Sequence, residues 1–189
     1  MHPALKTYLS GKVELSADQE GYVNSLFKLQ QTERNEILIP AGQVANKVYL
    51  VSKGCLRVFL TSEQGIESTR FLIFEGRMGT AFPSFISRQP SLATVQSPEP
   101  SELLVLSYEN RELLNQQIPG WETMERKGME RDYIEAIERI ENFLTGDAKA
   151  RYNFLLGQNP RMIQRLPAKI VADYLGISPE TLSRLKAKK

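Results

Sequence analysis

Ala168-Lys169-Ile170-Val171-Ala172-Asp173-Tyr174-Leu175-Gly176-Ile177-Ser178-Pro179-Glu180-Thr181-Leu182-Ser183-Arg184-Leu185 is the stretch on which the reading of this chain turns. A short helix over Pro167–Tyr174 is expected to end at Gly176, whose missing Cβ permits the positive φ of a tight turn. Ser178 stands where a helix N-cap belongs. Pro179 takes the first helical position, where no amide bond is lost. Val171, Leu175, Ile177, Leu182 and Leu185 are spaced to point into one small core, and Ala172 is small where two helices must cross closely. Together these positions make a helix-turn-helix. A helical hairpin with a purely structural role is the plain alternative.

The second helix would expose Pro179, Glu180, Thr181, Ser183, Arg184 and Lys186. In a recognition helix the N-terminal half enters the DNA major groove. Arg184 has the fork that fits guanine O6 and N7, and Glu180 can accept from a cytosine amino group. Thr181, Ser178 and the free amides of the first turn suit phosphate, and Lys169, at the start of the preceding helix, can pin the DNA backbone. Helix electrostatics alone would also favour Glu180 at an N-terminus and Lys186 near a C-terminus. Arg184 is therefore the leading candidate for reading sequence.

Charge supports a polyanion at this end. Residues 161–189 hold Arg161, Arg165, Lys169, Arg184, Lys186, Lys188 and Lys189 against Asp173 and Glu180. The whole chain has 24 basic and 22 acidic residues, so a basic end sits on a slightly acidic body. A solvated charged terminus would look the same. The 189 residues are 41% hydrophobic and 24% charged, which fits one folded domain or two small ones and excludes a disordered or fibrous chain. No run approaches the ~18 apolar residues that span a bilayer. Met1–Ser10 lacks a signal-peptide pattern, so a cytoplasmic protein without a membrane partner is expected. The single cysteine, Cys55, and the single histidine, His2, cannot build a disulfide, an iron–sulfur cluster or a zinc site. No metal and no cofactor are expected, and an enzyme on a metal-binding β-roll is disfavoured.

Upstream the texture changes. Glycines recur at Gly42, Gly54, Gly65 and Gly76, with β-rich runs Lys47–Val51, Cys55–Thr61 and Ile66–Phe74 between them. Ser62-Glu63-Gln64-Gly65 reads as a hairpin loop. Leu92–Gln96 and Leu103–Ser107 add strands across a Ser97–Pro100 turn. Turn signals at this spacing, with no alternating helices, predict an antiparallel sandwich or roll. Before it, Ser16 should cap a polar helix carrying Leu26 and Leu29 on one face of Asp18–Gln30. After it, residues 121–144 read as a long helix in which Tyr133, Ile137, Ile140 and Leu144 form a narrow apolar seam flanked by charge. Trp121 and Met124 could extend the seam. A seam so narrow suits a two-helix dimer contact, though it could also pack on its own body. Further helices are expected over 148–156 and 167–186.

This order of parts resembles the Crp/Fnr superfamily of bacterial transcription regulators. The likeness covers about residues 30–189. Its carriers are Ile39-Pro40-Ala41-Gly42, Val48-Tyr49-Leu50-Val51-Ser52-Lys53-Gly54, Phe74-Glu75-Gly76-Arg77-Met78-Gly79 and Gly176–Arg184. Ser84-Phe85 and Pro90-Ser91 look most like the branch common in Bacteroidetes. The resemblance implies an α+β chain in three parts. Residues 1–120 would be an antiparallel β-roll of the cyclic-nucleotide-binding kind, a double-stranded jelly roll, with an N-terminal helix. Residues 121–145 would be a dimerisation helix, and 146–189 an all-α helix-turn-helix unit. It implies a homodimer on a palindromic double-stranded operator, with RNA polymerase as a candidate partner and a small molecule as candidate effector.

At the expected pocket, Gly79, Thr80, Ala81, Ser91 and Leu92, the chain departs from that pattern. Members that bind cyclic nucleotides carry a Gly-Glu pair for the ribose and an Arg-Ser pair for the phosphate. Here Thr80 replaces the Glu, and Ser91 and Leu92 stand near the Arg-Ser positions. A buried phosphodiester without a cation is costly, so cyclic AMP is disfavoured. Arg88 is the nearby cation. Many members carry β-hairpins beside the helix-turn-helix, whereas here only Met162–Leu166 precedes it. Lys186, Lys188 and Lys189 would then supply phosphate contacts with steep salt dependence. A small-molecule sensor module with little DNA binding remains the rival reading.

Overall fold

The computed structural model describes residues 1–158 and 160–187. In chain order its elements are α1 (Pro3–Leu9), α2 (Ala17–Leu26), β1 (Lys28–Thr32), β2 (Glu36–Ile39), β3 (Lys47–Lys53), β4 (Cys55–Thr61), β5 (Glu67–Phe74), β6 (Met78–Gly79), α3 (Phe82–Ser87), β7 (Ala93–Ser97), β8 (Ser101–Ser107), α4 (Tyr108–Gln117), α5 (Trp121–Thr145), α6 (Ala148–Gln158), α7 (Pro160–Arg165), α8 (Ala168–Leu175) and α9 (Pro179–Ala187). Two four-stranded antiparallel sheets form, in the orders β1-β8-β3-β6 and β2-β7-β4-β5.

Alternation along the strands builds the layers. Tyr49 and Val51 of β3, with Leu103 and Val105 of β8, face Leu56, Val58 and Val95 of the second sheet, while Leu50, Leu104 and Leu106 point the other way. That outward side is covered by Leu5 and Leu9 of α1, Val23 of α2, Leu114 of α4, and Trp121 and Met124 of α5. Both faces of β8 are therefore buried, and Leu103-Leu104-Val105-Leu106 is continuously apolar. The second sheet follows the same rule. Phe71 and Ile73 of β5 turn inward, whereas Cys55, Leu72 and Phe74 turn out to meet Tyr152, Leu155, Ile163, Val171, Leu175 and Leu182 of the C-terminal helices. The order through the molecule is helices, sheet, sheet, helices.

Several expectations hold. The strands over 47–51, 55–61 and 66–74 form, and β4 pairs with β5 from Cys55↔Phe74 to Thr61↔Glu67 around the Ser62–Gly65 loop. Ser16 caps α2 in a reciprocal capping box with Gln19. Others are corrected. The helix of Asp18–Gln30 stops at Leu26, and Leu29 and Gln30 lie in β1 opposite Leu104 and Leu103, because pairing with β8 satisfies their backbone better than another helical turn would. Trp121 and Met124 are buried against the N-terminal helices and do not extend the α5 seam. Leu92 precedes β7 and is 86% exposed. In line with the expected lack of a β-hairpin before the helix-turn-helix, Met162–Arg165 is the end of α7. β2, β6, α3, α4 and α7 were not foreseen as elements.

Gly54 joins β3 to β4 with φ +108, and a Cβ there would lie 2.0 Å from Ser101 Oγ and 2.7 Å from Ser101 Cα. Its N–H donates to Glu75 Oε1 at 2.8 Å. Gly54→Ala combines a strained φ with a clash against backbone, and is expected to cost on the order of 3 kcal/mol, read as a lower urea midpoint at unchanged m-value.

Candidate nucleic-acid interface

Local chemistry shapes the helix-turn-helix as the sequence indicates. α8 buries Ile170, Val171, Ala172 and Leu175. It ends at Gly176 in the left-handed region (φ +61), where the N–H of Ile177 reaches back to Ala172 O and that of Gly176 to Asp173 O, each at 3.0 Å. A Cβ at Gly176 would also come within 2.6 Å of the Phe143 ring of α5, so the turn needs glycine twice over. Ser178 Oγ accepts the Thr181 N–H at 3.2 Å and opens α9. Leu182 is fully buried and ties α9 to the core beneath α8.

The outer face of α9 presents the expected side chains. Pro179, Glu180, Ser183, Arg184 and Lys186 are exposed, Thr181 is half-buried, and Ser178 and Lys169 are exposed beside them. Arg184 Nη2 donates to Thr181 Oγ1 at 3.1 Å, which lays the guanidinium along the helix within the first two turns. Glu180, fully exposed, has its carboxyl held below the ordinary range by the Ser178 hydroxyl and its own amide. Lys186 Nζ donates to Ile163 O at 3.1 Å, so this cation is drawn towards α7. Lys188 and Lys189 lie outside the described residues.

Thr80, Arg88 and Ser91 all anchor on one segment, residues 43–47. Thr80 Oγ1 donates to Lys47 O at 2.7 Å. Arg88 Nη1 donates to Ala45 O at 2.7 Å, with its guanidinium carbon 4.1 Å from the Tyr108 ring centroid. Ser91 N–H donates to Gln43 O, while its hydroxyl donates to Ala93 O. Ala81 is buried, and Ile73 fills the space where a Cβ on Gly79 would stand. Leu92 is not part of this cluster, since it points into solvent. Among the described residues no group of three or more His, Cys, Asp or Glu could hold a metal, and no helix is long and apolar enough to cross a membrane.

Residues 29–116 match the cyclic nucleotide-binding domain family. No curated protein matches the chain. Solved structures resemble it along most of its length. The catabolite activator protein of Thermus thermophilus aligns at 23% identity and TM-score 0.60, over 96% of this chain and 85% of that one. A CooA variant from Carboxydothermus hydrogenoformans aligns at 20% and 0.71, over 92% and 80%. A protein from Eubacterium rectale, described as a transcriptional regulator of the crp/fnr family, aligns at 19% and 0.69, over 92% and 83%. The chain shares the fold of these structures.

Within this fold, one feature escaped the sequence reading: charged clamps between the roll and the helix-turn-helix. Arg57, with 6% of its side chain exposed, reaches Asp173 of α8 at 2.9 Å and Glu67 at 2.6 Å. Arg139 of α5 donates to Thr69 O, Arg70 O and Tyr174 O. Arg165 of α7 pairs with Glu75 at 2.7 Å and Glu99 at 2.6 Å. Burial pushes Glu75 up, but the bonds from Arg165 and Gly54 more than offset it, and its carboxyl lies below the ordinary value. The available signal was a cation in the apolar run Cys55-Leu56-Arg57-Val58-Phe59, which a strand covered on both faces cannot leave unpaired.

Cys55, the only cysteine of the chain, is fully buried in the same cluster as the helix-turn-helix core. Burial raises its thiol pKa well above the usual value. In native protein Cys55 is expected to react with a disulfide reagent at least about a hundredfold more slowly than in urea-unfolded protein, because the thiolate is both scarce and covered. Equal rates would show that the helices do not cover it.

Proposed function

We propose that this chain is a DNA-binding transcription regulator. It acts as a homodimer and reads a palindromic operator with α9. The observation that carries the reading is the exposed face of α9. Arg184, Ser183 and Glu180 lie there free of the core, on a helix whose opposite side is held by Leu182 and whose first turn is capped by Ser178. This is the posture of a recognition helix, with Arg184 for guanine and Lys169, Ser178 and Thr181 for phosphate. The names of its structural neighbours, a catabolite activator protein and a crp/fnr-family regulator among them, agree with this role.

The dimer contact in this proposal is α5. Tyr133, Ile140 and Leu144 are 68%, 52% and 80% exposed, and Ile137 between them is half-buried. Ile134 and Phe143 add to the same exposed stretch. A second copy about a two-fold axis would cover this face and place two α9 helices about one DNA turn apart, ~34 Å. Residues 1–120 then serve as the roll, 121–145 as the coupling helix and 146–189 as the reader.

In this reading cyclic AMP is not the effector. The cation that a buried phosphodiester needs, Arg88, is spent on Ala45 O and on the Tyr108 ring, and Thr80 and Ser91 are bonded to backbone. Titration calorimetry with cyclic AMP is expected to give no saturable heat.

The DNA reading is tested by selecting genomic fragments with purified protein at moderate salt and no ligand; a palindromic motif is the expected result. On that motif, Arg184→Ala should lose about 1–3 kcal/mol of discrimination at one base pair of each half-site. Lys169→Ala should weaken all sequences alike and lower the salt slope by about one. Intact discrimination in Arg184→Ala would remove Arg184 from the reading role.

A further inference from the structure

Beside the Arg165 clamp of α7, a buried ionic knot at Arg57 ties α8 to the roll. Arg57 lies in the second sheet on the face covered by the C-terminal helices. Its Nε donates to Thr69 Oγ1 at 2.8 Å, its Nη1 to Glu67 at 2.6 Å and its Nη2 to Asp173 Oδ2 at 2.9 Å. Asp173 also accepts the Thr69 N–H at 2.7 Å and the Thr69 hydroxyl. Arg139 of α5 closes the other side by gripping Thr69 O, Arg70 O and Tyr174 O at 2.8–3.1 Å. Strand β5, helix α5 and helix α8 thus meet at adjacent residues, Thr69-Arg70 and Asp173-Tyr174.

None of these groups lies on the exposed face of α9, yet they decide where that face points. α8 and α9 share the Gly176 turn and the buried Leu182, so whatever fixes α8 on the roll fixes α9. In a two-fold dimer the separation and tilt of the two α9 helices follow from that angle, and operator half-site spacing mirrors it.

We propose that Arg57 and Asp173 are positioning residues for DNA recognition, locking α8 to the roll and thereby setting the half-site spacing that the dimer accepts. The inference rests on the DNA-binding reading above. Asp173 is the partner to remove, because Arg57 keeps Glu67 and Thr69 and is not left as an unanswered buried charge.

The test compares wild type, Asp173→Ala and Asp173→Asn in two measurements. The first is the labelling rate of Cys55, which sits in the cluster under the locked helices. The second is binding to the selected palindrome with its central spacer lengthened and shortened one base pair at a time, against a single half-site as control. Wild type should prefer one spacer length. Asp173→Ala should label about tenfold faster or more and bind several spacers nearly equally, with half-site affinity unchanged within about twofold. Asp173→Asn keeps an acceptor for the Thr69 N–H and should fall between. Unchanged labelling, or a spacer profile as sharp as wild type, overturns the proposal. If wild type binds no DNA fragment at all, the regulator reading falls, and this inference falls with it. If wild type binds normally and only the variants fail to broaden, the positioning role alone is lost.

Discussion

A guanidinium in the middle of a two-faced strand is the constraint from which the rest of this structure follows. Arg57 has 6% of its side chain exposed, and no water shell remains to carry its charge. Removing a cation from water costs several kcal/mol unless carboxylates and further hydrogen bonds replace the solvent. Glu67 and Thr69 supply part of that replacement from the hairpin partner strand. Asp173 supplies the rest from a helix 116 residues further along the chain. The fold therefore satisfies Arg57 fully only when the C-terminal unit is seated on the second sheet, and the sheet's outer face is apolar enough at Cys55, Leu72 and Phe74 to reward that seating. Apolar contact supplies the drive and the ion pair supplies the register, since an apolar patch alone can slide and a fork held at three points cannot.

The roll shows a matching economy at its opposite corner. A pocket for a charged ligand needs polar groups without partners, held ready at the cost of leaving them unpaired in the empty state. Thr80 and Arg88 are instead bound to the carbonyls of Lys47 and Ala45, and Ser91 bonds Gln43 O through its N–H and Ala93 O through its hydroxyl. They work as struts that fix α3 and the β6 end of the roll. A ligand there would have to break these bonds and replace them in kind. The same residue types at the same places can cradle a phosphate or brace a loop, and the direction of each side chain decides between them.

What could be read from the sequence divides along the range of the interactions involved. The capping box at Ser16, the hairpin at Ser62–Gly65, the Gly176 turn and the Ser178 cap rest on contacts between near neighbours, and the sequence contains all the parties to them. The exposed face of α9 was legible for the same reason, because helical periodicity alone sorts Leu182 from Arg184. Leu29 was misplaced because its partner, Leu104, is far away in the chain, and a five-residue ladder outweighed local helical pattern. Trp121 and Met124 were misplaced because the groups that bury them belong to α1, α2 and α4, whose docking no periodicity announces. Asp173 looked like an ordinary solvated acid in a basic segment, and only the sheet beneath it shows otherwise.

Although helices pack on both sheets, α5 keeps a run of exposed apolar side chains at Tyr133, Ile134, Ile140, Phe143 and Leu144. Trp121 and Met124 anchor the start of α5 in the N-terminal core, while Arg77 holds its middle through Asp132 and Glu135 at 2.6 and 2.8 Å. Arg139 and Phe143 engage the helix-turn-helix near its end. A helix pinned on one side at start, middle and end cannot turn its remaining stripe inward. Tyr133, Ile140 and Leu144 stay in solvent because every inward direction is already taken. The contacts that seat the C-terminal helices on the roll are thus the same contacts that leave α5 with an exposed apolar face, so the placement of α9 and the exposure of that face have a common origin.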